Sequence, residues 1–235
     1  MNDSGWPSGA SGFGSGVYAI VDTDRLGWRD ASSIALHLQD LASYARAAVA
    51  GGAVAVQLRA KGLPPGHLVR VAALTAMVSA MDPAVPLIAN DDLEAARQVA
   101  GVGLHLGQSD LDVTLARSTL GSAALLGLST HTLAQVLAAA PAAVGYLGFG
   151  PVRATTSKAQ AAAVTGWSLL AAAVAAAHVP VVAIGGLQVD DLARVRGTGA
   201  HAVAVIGAWL SDGSPALAER AMARLSAAWR QAEGR

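Results

Sequence analysis

The sequence predicts an α/β fold, a TIM (β/α)8 barrel, on three observations. Eight short apolar runs recur along the chain, and stretches with helical spacing separate them. Both faces of the runs are apolar, as in parallel strands covered by helices.

The first strand is VYAIV (17–21). LQDLASYARAAVAGG then repeats its apolar positions at helical spacing and closes on glycines, as helix C-termini prefer, before the second strand, AVAVQLR (53–59). PLIAN (86–90) leads into the helical DDLEAARQVAGVG and the fourth strand, VGLHLG (102–107). ALLGLS (124–129) is followed by the helical THTLAQVLAAA and then by VGYLGFG (144–150). A helix over about 166–177 ends before Pro180, which starts PVVAIGG (180–186), and AVAVIG (202–207) completes the set. An open doubly wound sheet is the alternative, but the count of eight and the lack of GxGxxG after the first strand favour the barrel. No linker divides the chain, so residues 16–235 read as a single catalytic barrel. Residues 1–15, rich in Gly and Ser, read as a disordered leader.

Composition narrows the chemistry. The 235 residues are 53% apolar and 14% charged, enough for a sizeable core. Sixteen basic side chains balance sixteen acidic ones, so no net field draws the chain to nucleic acid or to an anionic membrane. The absence of cysteine excludes disulfides, thiolate catalysis and Cys-ligated zinc, and fits a cytoplasmic protein. Residues 159–189 carry no charge, yet they are alanine-dominated and broken by His178, Pro180 and Gly185-Gly186, so no membrane span is expected. The N-terminus lacks the basic and apolar regions of a signal peptide. A homo-oligomer is compatible with all of this.

In a barrel of this kind the active site lies at the C-terminal strand ends. Gln57, Arg59 and Lys61 alternate after the second strand and so share one face, a setting for phosphate or pyrophosphate; two solvated surface charges are the other reading. Asp91 and Asp110 end adjacent strands and suit a shared Mg2+, whereas Asp92 is the better helix cap. His105 reads equally as a hydrogen-bonded core residue or a catalytic one. His131 either takes part in chemistry or opens a helix capped by Thr130 or Ser129. Gly185-Gly186 and Gly207 expose backbone amides and, with the hydroxyls of Thr155, Thr156 and Ser157, make a phosphate cradle. The rim therefore offers two anion sites, one cationic and metal-assisted, the other built from amides and hydroxyls.

These motifs, taken in order, resemble the thiamine-phosphate synthase family over nearly the whole chain from about Gly16. They are Gln57-x-Arg59-x-Lys61, LIAND (87–91), GLHLGQ-x-D (103–110), GLSTHT (127–132), GFGPV (148–152), T-x-SK (155–158) and VAIGG (182–186). The resemblance implies a transferase joining a hydroxymethylpyrimidine diphosphate to a thiazole phosphate, with release of pyrophosphate. It implies that Arg59, Lys61 and Lys158 hold the diphosphate, that Asp91 and Asp110 bind Mg2+, and that Gln57 and Asn90 contact the pyrimidine diphosphate. Ser129 would lie near the reacting centre. Thr155, Ser157, Gly186 and the amides around Ile206 and Gly207 would receive the thiazole phosphate. The chain departs from the family pattern at Ser157 (usually Thr), at Arg153-Ala154 (usually an aromatic-Pro pair), at Gly207 (usually Ser) and at Ser109 (commonly acidic). The related thiazole tautomerase is the alternative enzyme, with His131 its catalytic candidate, and a silent phosphate-ligand-binding barrel is the alternative outside enzymes.

Overall fold

The computed structural model describes residue 12 and residues 14–108, 111–139, 144–155, 163–210 and 213–232. Eight parallel strands close into a barrel in sequence order: β1 (Gly16–Asp22), β2 (Ala53–Arg59), β3 (Leu87–Asn90), β4 (Gly103–Leu106), β5 (Leu126–Thr130), β6 (Tyr146–Phe149), β7 (Val181–Ile184) and β8 (Ala202–Val205). β1 pairs with both β2 and β8, which completes the ring. The strands fall where the apolar runs put them. Side chains of both faces are buried, the inner ones inside the barrel and the outer ones under helices.

The outer layer comprises α1 (Ala31–Leu36), α2 (Leu38–Ala50), α3 (Leu68–Ala80), α4 (Leu93–Ala96), α5 (Val113–Leu120), α6 (Leu133–Ala138), α7 (Gly166–Ala176), α8 (Leu192–Gly197) and α9 (Pro215–Gln231). α7 closely matches the helix expected at 166–177. α1 is an addition: the six residues ASSIAL are too few to reveal a period, and Asp30 starts them with a capping box to Ser33. α4 is much shorter than DDLEAARQVA suggested, because the chain turns after Ala96 and reaches β4 through Gly101 at φ 79°. Among the described residues, no helix is long and apolar enough to cross a membrane.

α9 closes the barrel at the opposite end of the chain. It buries Met222, Leu225 and Trp229, and it packs against α2 and β1. Of the leader, Ser15 is in contact with this layer: its hydroxyl accepts from Trp229 Nε1 at 3.2 Å and from Arg196 Nη1 at 3.3 Å.

Candidate active site

The strand ends converge on one mouth. β2 delivers Arg59 and then Lys61. Arg59 is buried and donates through Nη1 to Asp22 Oδ2, at the end of β1, at 2.5 Å. Lys61 is 46% exposed in its side chain and donates its ammonium to Asp91, which follows β3. Asn90 Nδ2 donates to the same carboxylate oxygen at 2.6 Å. Asp91 holds a left-handed backbone, φ 59°, fixed by its N–H donating to the carbonyl of His105 at 2.8 Å. A non-glycine residue in that region costs about 1 kcal/mol or more, a strain that concentrates at functional sites. Arg59 and Lys61 are thus each neutralised by a carboxylate of the protein. An incoming anion meets a cluster that is organised and balanced.

A third ion pair holds this corner in place. Arg70 of α3 donates to Asp92, and both are buried. The same guanidinium donates to the carbonyls of Ala60 at 2.5 Å and Leu63 at 2.8 Å, on either side of Lys61. Asp92 also accepts from the amides of Ala95 and Gly66, each at 2.9 Å, and so caps α4 as its sequence position suggested.

Across the mouth lies a cavity of about 430 Å³, bordered by Arg25, Thr155, Gly185, Gly186, Ile206 and Gly207 among others. Arg25 is the one described lining residue with a permanent charge. Its Nη2 lies 3.9 Å from where a Cβ on Gly207 would stand. Gly185 and Gly186 sit at φ 103° and 65°, and a Cβ on Gly186 would come within 2.2 Å of the Ala154 carbonyl oxygen. Glycine is required there so that the β7 loop can lie against the β6 loop. Arg153 is not turned to an anion in the cavity: its Nη1 donates to both oxygens of Asp191, at 2.7 and 2.9 Å, which ties those loops together.

A smaller void of about 40 Å³ in the barrel interior is lined by Gln57, Arg59, Asn90, His105, Ser129 and Tyr146 among others. Ser129, Gly148 and Ile206 line both spaces, so the two adjoin. Burial raises the phenols of Tyr18 and Tyr146 above their ordinary value, so both stay protonated near neutrality.

Gln57, Arg59, Lys61, Asn90, Asp91, Ser129, Thr155, Gly186, Ile206 and Gly207 all gather at this mouth. Asp110, Ser157 and Lys158 lie outside the described residues, as do Ser109 and Thr156. His131 lines the large cavity with Nδ1 2.5 Å from the carbonyl oxygen of Gly150. Neither Ser129 nor Thr130 caps the following helix, since both belong to β5; Thr132 caps α6 through its hydroxyl. Asp22, Arg25 and Arg70 went unnoticed in the sequence. Asp22 and Arg25 stand at the first strand end, where a rim residue of this fold belongs, whereas nothing marked Arg70 within its helix.

The model of the thiamine monophosphate synthase family matches residues 30–209. The chain belongs to that family. The thiamine-phosphate synthase of Herpetosiphon aurantiacus is 37% identical over 204 residues, which is 87% of this chain and 93% of that one. The thiamine biosynthesis bifunctional protein of Geobacter sulfurreducens is 41% identical over 189 residues, 80% of this chain; the match spans 38% of that longer protein. In fold, the chain resembles the solved thiamine phosphate pyrophosphorylase from Pyrococcus furiosus, with a TM-score of 0.72 and 24% identity over 95% of this chain and 98% of that one. Thiamine-phosphate synthases are transferases, and this chain is a transferase of thiamine biosynthesis by that membership.

Proposed function

We propose that residues 16–235 form one catalytic barrel that couples 4-amino-2-methyl-5-(diphosphooxymethyl)pyrimidine with 4-methyl-5-(2-phosphooxyethyl)thiazole, giving thiamine phosphate and pyrophosphate. The observation that carries this reading is the pairing of two unlike anion sites at one mouth: ion-paired Arg59, Lys61 and Asp91 on one side, and the glycine-bordered cavity beside Arg25 on the other.

The division of labour follows from charge. As the diphosphate leaves the pyrimidine methylene carbon, negative charge grows on its bridging oxygen, and Arg59, Lys61 and Lys158 stabilise it. The hard carboxylate oxygens of Asp91 are of the kind that would suit a magnesium ion. Asp91 and Asp110 are the residues that would hold Mg2+, which when bound neutralises charge on the departing diphosphate. Lys61 and Asp91 neutralise each other in the free protein, and a diphosphate arriving with a divalent cation brings a partner for each.

Gln57 and Asn90 hold the pyrimidine diphosphate, and Ser129 faces the heterocycle at the reacting carbon. Thr155, Ser157, Gly186 and the backbone around Ile206 and Gly207 take the thiazole phosphate, with Arg25 supplying charge where Gly207 has no hydroxyl. Anchoring that phosphate sets the thiazole nitrogen against the carbon that loses pyrophosphate, so the coupling becomes effectively intramolecular. The nitrogen carries no proton to remove, and no general base is needed. A cytoplasmic location accords with the cysteine-free composition.

The test is release of inorganic pyrophosphate when both substrates and Mg2+ are supplied. The reading predicts release only with the complete mixture. Release from the pyrimidine diphosphate alone at the same rate would mean a hydrolase.

A further inference from the structure

A line of hydrogen bonds crosses the barrel interior below the mouth. Gln57 Nε2 donates to Tyr18 Oη at 2.8 Å, and Tyr18 Oη lies 3.0 Å from Tyr146 Oη. Tyr146 Oη is 2.9 Å from His105 Nδ1, and His105 Nε2 is 2.9 Å from Ser129 Oγ. Five residues from five strands, up to 128 positions apart, make one continuous path. Its two ends, Gln57 and Ser129, are residues assigned above to the pyrimidine substrate.

The backbone is built around this path. Gly127 of β5 is register partner to both His105 of β4 and Tyr146 of β6. A Cβ there would lie 2.1 Å from Tyr146 Cζ and 2.5 Å from His105 Nδ1. Only a residue without a side chain lets the imidazole and the phenol meet across the intervening strand. On β6, Gly148 leaves room of the same kind: its Cβ would stand 3.2 Å from His105 Cε1. The two rings lie 5.5 Å apart and 28° from parallel.

A single sense of donation can run the length of the path. An amide nitrogen only donates, whereas each phenol both accepts and donates. Tyr18 accepts from Gln57, and in the sense that runs from Gln57 toward Ser129 it donates to Tyr146, which donates to His105 Nδ1. With Nδ1 accepting, a neutral ring carries its proton on Nε2, facing Ser129 Oγ. The serine hydroxyl then accepts from the ring and keeps its own proton for another group.

We propose that His105 is a positioning residue: its Nε2–H donates to Ser129 and orients that hydroxyl as a donor to an acceptor atom of the bound pyrimidine. The proposal rests on the coupling reading for what Ser129 meets, while the tautomer rests on the protein alone.

The experiment has two arms, both on the full chain. In the first, 15N-labelled protein without substrates is examined by NMR of the imidazole nitrogens, with His105→Gln identifying the signal. The expected pattern is a protonated Nε2 and an unprotonated Nδ1 at neutral pH. A proton on Nδ1, or an imidazolium, overturns the proposal. In the second arm, coupling is measured with Mg2+ and both substrates. His105→Leu lowers kcat roughly 100-fold. His105→Gln, which keeps an acceptor toward Tyr146 and a donor toward Ser129, recovers to within about tenfold of the parent. In a Ser129→Ala background, His105→Leu costs no more than about twofold further, because its route of action is gone. Equal losses for the Gln and Leu variants, or fully additive losses with Ser129→Ala, overturn the proposal. If the unsubstituted protein releases no pyrophosphate, the coupling reading fails and the tautomer is decided by the first arm.

Discussion

Arg70 and Asp92 form a buried ion pair immediately behind the rim that carries Lys61 and Asp91. The guanidinium also gathers the carbonyls of Ala60 and Leu63, so the loop bearing Lys61 is fixed from beneath. Removing one partner leaves an uncompensated buried charge, at a cost of about 3–5 kcal/mol. Arg70→Met should lower the unfolding free energy in urea by that amount. A loss below about 1 kcal/mol would mean that the pair contributes little to this corner.

Asp91 is strained, paired with Lys61, and assigned to the metal. Asp91→Ala removes the ligand but keeps a side chain at φ 59°, so the strain stays, and coupling should fall about 10³-fold with the barrel still folded. Lys158→Ala should lower turnover to a similar degree. Near-normal coupling by either variant contradicts the assignment.

Arg153 is engaged with Asp191 rather than with an anion. Its guanidinium is half exposed, and pairs open to water on that side are worth about 1 kcal/mol or less. Arg153→Ala should therefore change kcat and KM only severalfold, and a loss comparable to that of Asp91→Ala would relocate the anion site.

Arg25 supplies the charge at the cavity end of the mouth. A hydrogen bond to a charged group is worth about 1.5–3 kcal/mol, so Arg25→Ala should raise KM for the thiazole phosphate at least roughly tenfold and change kcat far less. Gly207→Ser in the same chain should restore part of the loss. If KM for the pyrimidine diphosphate rises instead, Arg25 belongs to the other site.

Gly186 packs against the Ala154 carbonyl oxygen with its backbone in the left-handed region. Gly186→Ala should separate the β6 and β7 loops and weaken thiazole phosphate binding, read as a higher KM with the barrel still folded by circular dichroism. An unchanged KM would show that the loops need not touch.

The barrel was legible because each strand is a short apolar run with helical spacing on either side, and the mouth was legible because the polar residues follow those runs. The interior path was not. Tyr18 and Tyr146 sit inside apolar runs and read as core, and their partners come from other strands. His105 reads as either core or chemistry because alternation alone aims it inward without saying what it meets there. Arg70 lies within an apolar helix, where a lone arginine reads as a surface residue until the fold brings Asp92 beside it. The sequence places the cap of α6 at Ser129 or Thr130, but β5 runs through both before the chain turns and Thr132 caps the helix. Arg153 reads in the sequence only as a departure from the family pattern, because its partner Asp191 is 38 residues away.

What the functional account asserts is that two phosphorylated heterocycles meet at this mouth and one loses its diphosphate to the other. The most direct measurement is inorganic pyrophosphate and thiamine phosphate quantified together, with both substrates present, before and after chelation of Mg2+. The account predicts one pyrophosphate for each thiamine phosphate formed, and neither once the metal is withdrawn. Pyrophosphate without thiamine phosphate, or full turnover under chelator, would contradict it.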